Sequence, residues 1–149
     1  MGSSEGIPEG RSARTFDELD LKCCSHQNII DHAALRKLLP LQKEGEEDII
    51  REMIELYLKS TPGRLVHLEN SIQVKDAHAV AFEAHALWST SLCLGAVILD
   101  QPFKVLESFA LNGFCDELEA RFKLVQKRYK LVETEFHRWV GAGRAAILA

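Results

Sequence analysis

The chain is short of the residues on which many small specialised folds depend. Its 149 residues include only four cysteines, four prolines and nine glycines. Cys23 and Cys24 are adjacent, and with Cys93 and Cys115 they form no C-x-x-C spacing and no paired histidine motif. That arrangement suits neither a disulfide framework nor a structural zinc site, so reduced thiols in a cytosolic or nuclear setting are expected. Positive charge is also scarce, because 18 Lys and Arg face 22 Asp and Glu for a net charge of −4. A binder of nucleic acid or anionic membrane needs concentrated positive charge, so neither partner is expected. The longest apolar run, Leu92 to Leu99, is interrupted by Gly95 and falls far short of the ~20 residues that span a bilayer. The opening MGSSEGIPEGRSARTF lacks the apolar stretch of a secretory signal, and Gly6 breaks the myristoylation pattern. These absences predict a soluble, intracellular protein with neither a membrane nor a nucleic-acid partner, and a monomer is expected.

What is present points to helices. Hydrophobic residues make up 46% of the chain and charged residues 27%, close to the globular average. A chain of roughly 150 residues can bury about 68–70% of its unfolded surface. Residues 1–28 read as a polar, partly disordered leader with a short helix around Phe16 to Cys24. Residues 29–140 carry the ordered domain, and 141–149 form a flexible tail.

Within the domain, Asp31 caps a helix through Ala33, Leu35, Leu38 and Leu39 that stops near Pro40. Gln42 to Gly45 is a turn. A helix fits Glu46 to Ser60, with Ile50, Met53, Ile54 and Tyr57 at helical spacing. Thr61-Pro62 then reads as a fresh N-cap with proline at the first helical position, opening a helix through Leu65, Leu68 and Ile72. Asp76 caps the next helix, which runs to about Leu94. Asp100 and Pro102 mark a further start, leading into Phe103, Leu106 and Phe109, and Asn112-Gly113 marks a turn. The last helix carries Leu118, Phe122, Val125, Tyr129, Val132, Phe136 and Trp139 at alternating steps of four and three, and should end before Gly141. Arg121, Lys123, Lys127, Arg128 and Lys130 on that helix read as its solvated face. No segment alternates with period two and no long repeat appears. The expected fold is all-α: an antiparallel four-helix bundle with additional N-terminal helix or helices.

Most enzyme chemistry is absent from this pattern. Di-iron bundles use Glu-x-x-His pairs, but the residues three before the six histidines are Cys23, Ile29, Arg64, Lys75, Phe82 and Thr134. There is no H-E-x-x-H, no phosphate-binding G-x-x-x-x-G-K-[ST] and no G-x-S-x-G elbow. Gly141 to Ala146 matches a dinucleotide fingerprint formally, but it follows a helix and lacks the strand-turn-helix context. Neither a metal nor a cofactor of its own is expected.

His85 stands apart from the other histidines. On a helix wound from Asp76 to Leu94, Val80, Ala84, Leu87, Ser91 and Leu94 share one narrow apolar stripe. His85 lies at the margin of that stripe beside Ala81, Trp88 and Leu92. Phe82, Ser89 and His78 lie further towards solvent on the same side. A rigid helix would thus offer one imidazole to a visiting protein. His26, His32, His67 and His137 carry no motif.

The run His85-Ala86-Leu87-Trp88-Ser89-Thr90-Ser91-Leu92-Cys93-Leu94-Gly95-Ala96 resembles the H-x-L-K-G-S-[SA]-x-x-[LIV]-G-A segment of histidine-containing phosphotransfer (HPt) domains. Outside it, Ile30-Asp31 with Leu35 and Leu38, Thr61-Pro62 to Ile72, and Leu99, Phe103 and Leu106-Glu107 resemble family spacings. The likeness covers about residues 29–140. It implies a phosphocarrier, not an enzyme with its own catalytic pocket. His85 would accept a phosphoryl group from a receiver-domain phospho-aspartate and pass it to another receiver domain. Receiver domains of response regulators and a hybrid histidine kinase are the implied partners, with Mg²⁺ supplied by the receiver. Phe82, Trp88, Ser89 and Leu92 would form the dock around the phosphoryl group, with Glu107 in a supporting position. With its reduced thiols, the protein is expected in the cytoplasm, with the nucleus also open to it.

Two positions depart from the family pattern. Trp88 stands where the family has lysine, and Ser89 where it has glycine. The lysine places positive charge beside the phosphoryl group, and a charge-assisted contact is worth about 1.5–3 kcal/mol. Slower transfer is therefore expected. The alternative is a binding-only module that docks receivers or kinases without efficient transfer, with Trp88 supplying apolar contact area.

Overall fold

The computed structural model describes residues 29–45 and 48–142. The expected leader helix around Phe16 to Cys24 lies outside the described residues. The elements are α1 (His32–Arg36), α2 (Ile49–Gln73), α3 (Ala77–Cys93), α4 (Asp100–Leu111) and α5 (Leu118–Ala142), with 3₁₀ turns at Leu39–Leu41, Val97–Leu99 and Cys115–Glu117. Among the described residues there is no strand. α2 to α5 form a ring in which α3 packs on α2 and α4, and α5 closes on α4 and α2. Cross-helix pairs show that neighbours run antiparallel. Tyr57 meets Ser91 and Arg64 meets Glu83, so moving forward along α2 means moving back along α3. The expected all-α four-helix bundle with an added N-terminal helix is the fold observed.

Local chemistry sets the helix ends. Asp31 accepts from the Ala33 amide, Asp48 from those of Ile50 and Arg51, and Asp76 from that of Ala79, satisfying donors that a helix N-terminus leaves open. The Gln42 side chain adds an acceptor for the Ile49 amide at 2.7 Å. Gly95 follows α3 in the left-handed region at φ +81°, and its carbonyl accepts from the Asp31 amide at 2.7 Å. This contact ties the entry of α1 to the end of α3.

Four helix boundaries differ from those expected. α1 is shorter than its apolar spacing implied: it ends at Arg36, and Leu39 and Pro40 belong to a separate 3₁₀ turn. α2 begins at Ile49 rather than Glu46, because Asp48 supplies the cap. α2 also does not restart at Thr61-Pro62. It is one 25-residue helix with Pro62 inside it. An interior proline costs about 3 kcal/mol by removing one amide donor and crowding the preceding turn. Against that, Ile50, Ile54, Tyr57, Thr61, Leu65, Leu68 and Ile72 form one unbroken buried stripe across the proline. Each fully buried aliphatic side chain contributes about 1.5–3 kcal/mol, so the stripe prevails and Pro62 faces solvent. Lastly, α5 continues through Gly141 to Ala142.

The core lies along the axis of the ring. Tyr57, Leu87, Leu99, Phe103, Leu106, Leu118 and Phe136 are fully enclosed. Every member of the heptad-like stripe from Leu118 to Trp139 is buried, as its spacing predicts. Arg128 breaks the expected solvated face of α5. It is 8% exposed and donates to the Ile98 carbonyl at 2.7 Å, which compensates a guanidinium drawn into the flank of the bundle. Lys123, Lys127 and Lys130 are exposed as expected.

Candidate functional site

α3 presents two unlike faces. Val80, Ala84, Leu87, Ser91 and Leu94 are buried, while His78, Phe82, His85 and Ser89 are exposed. A buried polar pair anchors the inner face: the Tyr57 and Ser91 hydroxyl oxygens lie 2.7 Å apart. Burial outweighs that bond and pushes the Tyr57 hydroxyl up to about 12. The inner face therefore fixes the helix that carries the histidine.

The His85 side chain is 59% exposed. Its Nδ1 lies 3.2 Å from Oε1 and 3.3 Å from Oε2 of Glu107 on α4. Glu107 is 25% exposed and thus shielded on its own side. With Nδ1 against a carboxylate acceptor, the neutral ring is favoured as the Nδ1–H tautomer. Nε2 then keeps its lone pair on the ring edge away from Glu107.

One turn along α3, Trp88 continues the same seam. Its ring lies 5.4 Å from the His85 ring at an interplanar angle of 41°. The indole Nε1–H donates to Asp100 Oδ1 at 2.6 Å, and the Lys104 ammonium sits 5.0 Å from the ring centroid. Lys104 Nζ also lies 3.5 Å from Asp100 Oδ1. Moving forward from His85 to Trp88 means moving back from Glu107 to Lys104, the register of antiparallel helices. Five residues from two helices form one strip: His85 and Trp88 on α3, and Asp100, Lys104 and Glu107 on α4.

Of the residues singled out in the sequence, the structure brings together His85, Trp88 and Glu107. Phe82 and Ser89 are exposed on the same helix as His85, and Leu92 is half-buried one turn beyond Trp88. In the sequence Asp100 marks only the start of a helix, and Lys104 carries no motif. Their signal was available, since Asp100, Lys104 and Glu107 follow steps of four and three that place them on one face of α4. Among the described residues, no cluster of His, Cys, Asp and Glu could hold a metal ion. No helix among them is long and apolar enough to cross a membrane.

Neither protein-family models nor curated proteins give a match to this chain. Among solved structures, it is similar to histidine-containing phosphotransfer protein B (HptB) from Pseudomonas aeruginosa PAO1, with a TM-score of 0.71 and 24% sequence identity. The similarity covers 78% of this chain and 97% of that one. The fold is that of an HPt domain. In this bundle His85 stands exposed on α3, between α2 and α4.

Proposed function

We propose that this protein is a phosphocarrier of a phosphorelay, taking a phosphoryl group on His85 Nε2 and handing it on. The observation that carries the reading is an exposed imidazole whose Nδ1 is held by a carboxylate, on the outer edge of an HPt-fold helix. The resemblance of the twelve-residue segment around His85 to the HPt motif supports it independently.

The chemistry asks little of the carrier. A receiver-domain phospho-aspartate presents its phosphorus in line with the Nε2 lone pair. The N–P bond forms as the bond to the aspartyl oxygen breaks, and the aspartate leaves with the electron pair. Phosphoryl transfer depends mainly on positioning and on neutralising charge, and the receiver brings the Mg²⁺. Nδ1 keeps its proton, so the phosphorylated ring carries positive charge beside Glu107. That carboxylate both orients the ring and stabilises the charge formed on it. The exposed Phe82 and Ser89 and the half-buried Trp88 and Leu92 flank the imidazole as the receiver's dock. Receiver domains and a hybrid histidine kinase are the partners this reading assigns, in the cytoplasm.

Incubation with a labelled phospho-receiver tests the proposal. Label should move onto the protein at an acid-labile, base-stable site and be absent from His85→Gln. Label retained by that variant overturns the assignment. A second reading, a module that docks receivers without carrying phosphate, is favoured by Trp88 in place of the family lysine. Receiver binding without label would establish it.

A further inference from the structure

We propose that Lys104 is the cation that neutralises the phosphoryl group on His85, reaching it across the face of Trp88 from the neighbouring helix. The inference rests on the phosphocarrier reading and assigns a residue to its chemistry. It starts from a charge imbalance at the site. Phosphorylation at Nε2 makes the ring cationic, which Glu107 balances, but it also places a dianionic phosphoryl group beside the carboxylate of Asp100. Trp88, the residue of α3 next to the imidazole on this strip, is uncharged. Uncompensated negative charge beside the incoming phospho-aspartate would slow its approach and disfavour the product.

The geometry supplies the compensation from α4. The Lys104 ammonium and the His85 ring lie against the same indole, at 5.0 Å and 5.4 Å from it. Lys104 is one turn from Glu107 on α4, the residue that holds the imidazole. Its side chain is 54% exposed, and its 3.5 Å pair with Asp100 is a solvated contact that is easily exchanged. Asp100 is also the acceptor of the indole N–H, so it keeps a partner when the ammonium leaves. The four-carbon stem lets the ammonium pivot over the ring towards the phosphoryl oxygens. The ring face favours a cation throughout that path. The seam thus holds a positive charge in reserve beside the histidine, carried by α4.

The test compares wild type with Lys104→Met, which preserves length, and Lys104→Arg, which preserves charge. Each is mixed with a labelled phospho-receiver over a range of receiver concentrations. Lys104→Met should lower the transfer rate at saturating receiver about tenfold while leaving the half-saturating concentration near wild type. Lys104→Arg should recover most of that loss. Matching unfolding midpoints exclude a folding defect as the cause. Label on wild type with an unchanged saturating rate in Lys104→Met overturns the role of Lys104 alone. A shift confined to the half-saturating concentration also overturns it, by making Lys104 a docking contact. Absence of label from wild type overturns the phosphocarrier reading and this inference together.

Discussion

Trp88 donates its indole N–H to Asp100 at 2.6 Å, and this bond joins the histidine helix to its neighbour beside His85. Lys104 lies over the same ring, so the indole is held at its edge and covered on its face. Trp88→Phe keeps an aromatic face for the ammonium but removes the donor to the carboxylate. A half-exposed charge-assisted bond of this kind is worth about 1 kcal/mol, and its loss should lower the melting temperature by roughly 3–5 °C. Thermal unfolding of the two proteins under identical conditions measures the difference.

Glu107 should matter through its charge as well as its geometry. Glu107→Gln retains an oxygen that accepts from Nδ1–H, so the tautomer is preserved while the stabilisation of a positively charged ring is lost. Transfer from a phospho-receiver should slow about three- to tenfold. Glu107→Ala also removes the orienting acceptor and should slow it further. Initial rates of label appearing on His85 give the order wild type, Gln, Ala. Equal rates in all three would show that the carboxylate contributes nothing to the step.

Much of this architecture is legible in the sequence because short-range chemistry specifies it. The stripe from Leu118 to Trp139, the cap at Asp76 and the turn at Asn112-Gly113 each follow from spacing within a few residues. The edge position of His85 follows from the winding of α3 alone. Pro62 misleads because a local rule for proline competes with a longer-range one, the buried stripe that continues through it. Arg128 misleads for a related reason, since its acceptor is a carbonyl thirty residues away at Ile98. The pairing of Trp88 with Asp100 and Lys104 depends on the register between two helices. Only the fold supplies that.

Gly95 is predicted to be intolerant of any side chain. A Cβ built there would lie 2.5 Å from the Asp31 carbonyl oxygen, a backbone atom that cannot rotate away. Its φ of +81° adds the cost of a left-handed conformation. Gly95→Ala should therefore destabilise the protein by about 2–4 kcal/mol, combining backbone strain with the forced shift of α1. Gly63, where an added Cβ meets nothing within 4 Å, provides the control. Gly63→Ala lies in the interior of α2 and should stabilise slightly, by about 0.5–1 kcal/mol. Denaturant titration of both variants checks the contrast.

Alkaline pH should unfold this protein through its two core tyrosines. Burial, only partly offset by hydrogen bonding to Ser91 and Thr61, raises the Tyr57 hydroxyl from its ordinary 10.0 to about 12. Tyr129 is raised as well, by burial and then by the nearby Glu133 carboxylate. A raised value means that the folded state holds its protons more tightly than the unfolded chain does. The stability this contributes is complete below pH 10 and is lost as pH climbs towards 12, because the unfolded chain ionises first. Urea midpoints should fall across that interval. In the double variant Tyr57→Phe/Tyr129→Phe neither ring can ionise, so the fall should be shallower even if the neutral-pH midpoint is lower. The two proteins differ only at these rings, so the difference between the two slopes isolates the tyrosines. Identical slopes would mean that the buried hydroxyls do not control the alkaline limit.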